Sequence, residues 1–141
     1  MRFWDSSALV PLVVDEPYSR TVEALFAEDP EITAWWAARV ECASAVARRV
    51  RALGADNGQS GRAYDDLTEL AGSWIEIPPA ERLRDLAVRL VRVHDLRAAD
   101  ALQLAAAIVA SENRPETLDL VTLDDRLALA ASREGFRVLL G

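Results

Sequence analysis

Short apolar runs alternate with longer amphipathic segments along the whole chain. The apolar runs predict strands at residues 2–5, 31–34, 74–77, 118–122 and 136–139. Between the strands, apolar residues recur at spacings of three and four, which is the helical period. This spacing predicts helices at residues 7–13, 18–28, 36–54, 62–71, 80–93, 98–111 and 125–133, with a loop at 55–61.

The alternation of strands and helices indicates the fold class. A strand followed by a helix and a further strand is the repeating unit of parallel α/β sheets. We therefore predict an α/β fold with a central parallel sheet of about five strands and helices on both faces. The length of 141 residues suits one compact domain, residues 1–141, and we find no internal repeat, low-complexity stretch or linker that would divide it.

The predicted helix at 36–54 carries an apolar stripe with one acidic residue beside it. The stripe consists of Val40, Ala43, Val46, Ala47 and Val50. Val40 and Ala43 are expected to be buried, and Glu41 lies about 100° around the helix from Val40. Glu41 is therefore expected at the border of the buried face, where it can reach a cleft or face water.

Composition and charge limit the class of protein. Hydrophobic residues make up 51% of the chain, so a disordered chain is not expected. No apolar run approaches the roughly 20 residues that span a bilayer, and the start of the chain lacks signal-peptide features. A single cysteine, Cys42, fits a reducing compartment, so we expect a cytoplasmic protein. A net charge of −7 disfavours tight non-specific DNA binding.

Four acidic residues, Asp5, Glu41, Asp100 and Asp124, stand beside apolar elements. Asp5 ends one predicted strand and Asp124 comes shortly after another, at the sheet edge where parallel α/β proteins bind ligands. Carboxylates beside buried elements are costly unless they are paired, hydrogen-bonded or bound to metal. Because the chain has no lysine, only arginines or a metal ion can balance such a cluster. A divalent cation is the simplest solution, and it indicates phosphodiester chemistry.

Several stretches in series carry a resemblance to a known family. They are DSSALV at 5–10, Val40-Glu41 with Ser44-Ala45, LRAADALQLA at 96–105, TLD at 122–124, and Gly135-Phe136 with Val138. In this order and at these separations, they resemble the PIN-domain family, and more narrowly the VapC toxins of bacterial toxin–antitoxin pairs. One departure is Gln103, where such toxins often carry histidine. We expect that side chain to be inessential to the site.

The resemblance implies a small ribonuclease that depends on Mg²⁺ or Mn²⁺, is inhibited by a cognate VapB-like antitoxin and usually forms a homodimer. Asp5, Glu41, Asp100 and Asp124 are then the catalytic set. Since Mg²⁺ takes only one or two protein carboxylates directly, we expect Asp5 and Asp100 to be its ligands, with Glu41 and Asp124 acting through water. Ser7, Thr122 and Asp125 are expected to support these acids through hydrogen bonds. The number of ions, and whether Asp124 or Asp125 is the fourth acid, stay open.

Other readings compete with the nuclease. A PIN fold without catalysis, acting only in antitoxin binding and repressor assembly, is the alternative. A phosphotransfer protein is disfavoured, because receiver domains require a lysine. His94 is expected to cap a helix or lie at the surface, and Cys42 and Trp74 are expected in the core or an interface. The adjacent Trp35 and Trp36 cannot easily face one core, so one of them should be exposed or at a dimer interface.

Overall fold

The computed structural model describes residues 1–53 and 58–141. Within these ranges, five strands alternate with seven α-helices. The elements are β1 Arg2–Trp4, α1 Ser6–Leu9, α2 Ser19–Glu28, β2 Ile32–Trp35, α3 Ala38–Leu53, α4 Gln59–Ser73, β3 Ile75–Ile77, α5 Glu81–Val93, α6 Ala98–Ala110, β4 Leu120–Val121, α7 Asp125–Arg133 and β5 Val138–Leu139. Every predicted strand and helix has a counterpart, with small differences in its bounds.

Two of these differences concern the first predicted helix and the start of α4. The segment predicted as one helix at 7–13 divides into α1 and a 3-10 helix at Val10–Leu12, which places Pro11 in a first helical turn that needs no N–H donor. Helix α4 begins at Gln59 rather than at 62. The predicted helix end near Gly54 and the loop at 55–57 lie outside the described residues.

All five strands are parallel, in the order β3-β2-β1-β4-β5. The chain adds β2 and β3 on one side of β1, and then returns to add β4 and β5 on the other side. Such a reversal leaves a crevice beyond the carboxyl ends of the two strands at the switch, here β1 and β4. The predicted parallel α/β fold is confirmed.

Both faces of the sheet are covered. Every residue of β2, from Ile32 to Trp35, is at most 5% exposed. Because successive side chains of a strand point to opposite faces, both sides of the sheet must be shielded from water. Helix α6 packs against β2 and α5, and seven of its residues are buried, including the polar Gln103.

The buried face of α3 differs from the predicted stripe. Ala38, Cys42 and Val46, four residues apart, are buried, whereas Val40 is 68% exposed. Helix α3 packs against α1, and small side chains such as those of Ala38 and Cys42 allow close approach. Glu41 precedes Cys42 and is half-buried, so the prediction that it borders the buried face is confirmed. Within the predicted stripe, Val46 is buried as expected, and the expectation for Val40 was wrong.

The tryptophans and His94 take distinct places. Trp35 is 5% exposed and Trp36 is 53% exposed, so the adjacent pair is divided between core and surface as predicted. Trp74 is buried. His94 is the residue after α5, and its ring Nε2 lies 2.7 Å from Oε1 of Glu134 at the end of α7. In the part of the chain that is described, no helix has both the length and the apolar character needed to cross a membrane.

Candidate active site

The crevice between β1 and β4 brings together two of the predicted acids. Asp5 directly follows β1, and Asp124 is the third residue after β4. The strands align Trp4 with Val121, and the backbone N–H of Asp5 donates to the carbonyl of Val121 at 3.0 Å. Asp5 therefore lies beside Thr122, although 117 positions separate them in the chain.

Hydroxyl groups hold the Asp5 carboxylate, which is only 3% exposed. Thr122 Oγ1 donates to Oδ2 of Asp5 at 2.8 Å, and Ser7 Oγ donates to the same oxygen. Backbone donors fix the two hydroxyls in turn. The Leu123 N–H donates to Ser7 Oγ at 2.9 Å, and the Asp124 N–H donates to Thr122 Oγ1 at 3.0 Å. Ser7 and Thr122 thus contact an acid of the site as expected.

Glu41 joins this group through Ser6 and Gln103. The Ser6 hydroxyl lies 3.1 Å from Oε2 of Glu41 and 3.3 Å from Oδ1 of Asp5, so its single proton can serve either carboxylate. Gln103 Nε2 donates to the other Glu41 oxygen, Oε1, at 3.1 Å. Both oxygens of the Glu41 side chain are therefore held.

Gln103 is a site residue that the sequence interpretation missed. Its side chain is fully buried, and its Oε1 has no hydrogen-bond partner among the described residues. An unpaired buried oxygen costs free energy, so the amide has a role that an apolar residue would not fill. The signal in the sequence was a polar residue inside the apolar helix α6, three positions after Asp100 and so on the same side of the helix.

Asp124 caps α7, because its side chain accepts the Leu127 N–H at 2.7 Å. Asp125 lies in the first turn of α7 and is exposed. Both residues line an open cleft of about 710 Å³ together with Glu41 and Asp100. Arg48, Arg97 and Arg126 complete the charged lining of this cleft.

The carboxylates act on one another electrostatically. Burial raises the pKa of Asp5, and the charge of Asp124 adds to the rise. Burial, with the charges of Asp5 and Asp100, raises the pKa of Glu41 to about 7. Burial also raises the pKa of Asp100, and the charges of Asp124 and Asp5 raise it further. Asp124, which affects both Asp5 and Asp100, therefore fits the fourth acid better than Asp125 does.

The donor set suits a hard divalent cation. Carboxylate and hydroxyl oxygens are ligands that Mg²⁺ and Mn²⁺ prefer, and a cation would relieve the repulsion among these charges. Among residues 1–53 and 58–141, no three Asp, Glu, His or Cys side chains are placed to hold one ion between them. Mg²⁺ usually keeps several waters and takes one or two protein carboxylates. The residues thus fit a largely hydrated ion rather than a closed cage.

Two other reactive side chains do not line this cleft. Cys42 is buried, and burial raises the pKa of its thiol to about 12, so a thiolate nucleophile is excluded near neutral pH. His94 pairs with Glu134, which Arg89 Nη2 also contacts at 2.9 Å. This group joins α5 to the end of α7.

Comparison with known proteins identifies the family. The family model for the PIN domain matches residues 2–132, so the chain belongs to the PIN-domain family. No curated protein sequence shows significant similarity to this chain.

Solved structures share the fold at low identity. VapC20 from Mycobacterium tuberculosis, described as a sarcin-ricin loop cleaving toxin, has 16% identity and a TM-score of 0.67, covering 96% of each chain. FitAcB from Neisseria gonorrhoeae has 17% identity and a TM-score of 0.64, covering 99% of this chain and 96% of its own. A toxin–antitoxin complex from Klebsiella pneumoniae has 18% identity and a TM-score of 0.65, with coverage of 99% and 96%.

Proposed function

We propose that this PIN domain is the VapC-like toxin of a toxin–antitoxin pair, a Mg²⁺- or Mn²⁺-dependent endoribonuclease. The observation that carries the proposal is the group of four carboxylates at the β1–β4 crevice, where burial, with the charges of neighbouring carboxylates, raises the pKa of Asp5, Glu41 and Asp100. Like charges are gathered at a cost where a cation or a charged transition state is to be bound. Similar folds described as toxins, one of them as cleaving the sarcin-ricin loop, support the direction of this proposal.

The residues divide the work of phosphodiester hydrolysis. Asp5 and Asp100 would hold the metal ion, which when bound supplies a water of lowered pKa and neutralises phosphate charge. Ser7 and Thr122 fix the Asp5 carboxylate through hydrogen bonds. Asp124 is held in place by its capping bond to α7 and completes the acidic set.

Glu41 is suited to be the general base. Burial and the neighbouring charges raise its pKa to about 7 in the metal-free protein, which makes it a stronger base than an ordinary glutamate. As the water oxygen bonds to phosphorus, its proton passes to Glu41, and the departing ribose oxygen takes a proton from solvent. Gln103 and Ser6 hold the two Glu41 oxygens in the orientation for this transfer.

The negative charges of the cleft also indicate what kind of protein partner could inhibit the enzyme. A small cytoplasmic antitoxin that places an Arg or Lys side chain in the cleft would replace the ion electrostatically. This would silence the enzyme without altering its fold. A homodimer would place two acidic clefts on one surface for a structured RNA.

The test is to incubate purified, antitoxin-free protein with total RNA and Mg²⁺, and to sequence the new RNA ends. The proposal predicts new ends at a small set of sites, and growth arrest when the chain is expressed alone. An Asp100→Asn variant expressed at the same level is the matched control and should be harmless. The alternative, a silent PIN subunit, predicts no new ends and no arrest even with the acidic set intact.

A further inference from the structure

The acidic cleft is one half of a longer groove along α3. A second cleft, of about 500 Å³, adjoins it. Glu41, Arg48 and Ala99 line both clefts, so the two clefts meet at these residues. Together they offer more room than a single phosphate group with its metal ion requires.

The two halves differ in chemistry. The first half is charged, since its lining includes Asp100 and Asp124 as well as Arg97 and Arg126. Apart from the shared Glu41 and Arg48, the second half has only small hydroxyl and apolar side chains. They are Ser6, Ser7, Val10, Val40, Ser44 and Ala45. The neutral half therefore suits a nucleoside, while the charged half suits a phosphate group.

Arg48 stands where the halves meet. It is exposed, and among the described residues it makes no hydrogen bond or ion pair. Its neighbour Arg49 is used by the fold, because Nη1 contacts Oε1 of Glu16 at 3.2 Å and Nη2 donates to the carbonyl of Asp15. The Arg48 guanidinium is thus a cation without a partner among the described residues. It lies where the two halves of the groove meet.

We propose that the groove binds two successive nucleotides of single-stranded RNA, with a nucleoside in the neutral half and Arg48 on the phosphate that joins the two. A guanidinium binds phosphate through two parallel hydrogen bonds. The hydroxyls of Ser6 and Ser44 can hydrogen-bond a ribose 2′-OH. Local cations are needed here, because a protein of net charge −7 repels a polyanion. This inference rests on the proposed nuclease function.

The test is fluorescence anisotropy with a labelled oligouridine in an Asp100→Asn background with Mg²⁺, so that binding is measured without cleavage. Arg48→Ala should raise Kd about tenfold or more, because the loss of even one hydrogen bond to a charged group has about that effect. It should also lower the slope of log Kd against log salt by about 0.7, the value for one phosphate of a single strand. Arg133→Ala is the matched control, because Arg133 is an exposed arginine in the last turn of α7 that lines neither cleft.

A second part of the test fills the neutral half of the groove with a larger side chain. Ala45→Phe should weaken oligouridine binding while the Mg²⁺ affinity of the otherwise wild-type protein, measured by calorimetry, stays unchanged. Equal Kd values for Arg48→Ala and Arg133→Ala overturn the groove, whether or not the wild type cuts RNA. Absence of RNA binding by the parent variant also overturns it. RNA that is bound through Arg48 but left uncut by the wild type supports the groove and contradicts the nuclease.

Discussion

Gln103 on α6 donates a hydrogen bond from Nε2 to Oε1 of Glu41 on α3, at 3.1 Å. The two residues are 62 positions apart, and no local pattern in the sequence links them. The bond fixes one oxygen of Glu41 while Ser6 fixes the other, so this half-buried carboxylate has a defined orientation. We infer that Gln103 is a positioning residue for the proposed general base.

The first prediction concerns Gln103→Leu. Leucine fills similar space but removes the donor to Glu41, and it also removes the unpaired Oε1. We expect the midpoint of urea unfolding to stay equal or rise, because an unsatisfied buried oxygen is lost. The kcat for RNA cleavage should fall about 10- to 100-fold, as for other residues that orient a catalytic group. Gln103→His, which restores a ring N–H donor, should recover part of the rate. Equal rates for Gln103→Leu and the wild type would contradict the positioning role.

The second prediction concerns pH and stability without metal. The pKa of Glu41 is about 7 in the fold against an ordinary value of 4.5, so the folded protein holds this proton more tightly than the unfolded chain. The stability from Glu41 is therefore fully present below pH 4.5 and is lost as the pH rises through about 7. Asp5 and Asp100, whose pKa values are also raised, add in the same direction.

The measurement is urea unfolding in EDTA at about pH 5 and about pH 8, with the wild type less stable at the higher pH. Glu41→Gln should shrink this difference, since the amide does not titrate. Asp85→Asn, at an exposed position of α5 outside the cleft, is the control and should leave it unchanged. A wild type that is more stable at the higher pH would refute the sign of the effect.

The third prediction is a homodimer that buries Trp36. Trp36 is 53% exposed, while its neighbour Trp35 is 5% exposed. The two rings are arranged edge-on, with their centroids 6.3 Å apart. Exposed tryptophan is enriched in interfaces. Light scattering at micromolar concentration should give twice the chain mass of 15.5 kDa, and Trp36→Ser should shift the mass toward the monomer. Tyr18→Ser, at an aromatic residue that is 56% exposed, is the matched control. A wild-type mass of one chain would reject the dimer and leave Trp36 for the antitoxin.

The sequence predicted the parallel sheet and the place of two acids, because both depend on local signals. Asp5 and Asp124 follow short apolar runs that alternate with helical periods, and such strands end at one edge of a parallel sheet. The capping role of Asp124 was likewise readable from a carboxylate before an amphipathic helix.

The environment of Glu41 was harder to predict, because it depends on contacts between helices. Hydropathy favoured Val40 as a buried residue, but close packing of α3 on α1 selects Ala38 and Cys42 instead. Gln103 was judged inessential because only the folded chain brings its amide to Glu41. A buried polar residue in an apolar helix needs a partner, and that rule would have marked Gln103 without naming the partner.

Cleavage of a defined RNA, with Mg²⁺ and with EDTA, tests the central claim most directly. The wild type should cut only with Mg²⁺. Asp5→Asn and Asp100→Asn should each lower that cleavage rate about a thousandfold or more. In EDTA, both variants should melt at or above the wild-type melting temperature, because one repelling charge is removed. Asp85→Asn should cut like the wild type. Cleavage by Asp5→Asn at the wild-type rate, or wild-type cleavage that continues in EDTA, would contradict a four-carboxylate, metal-dependent site.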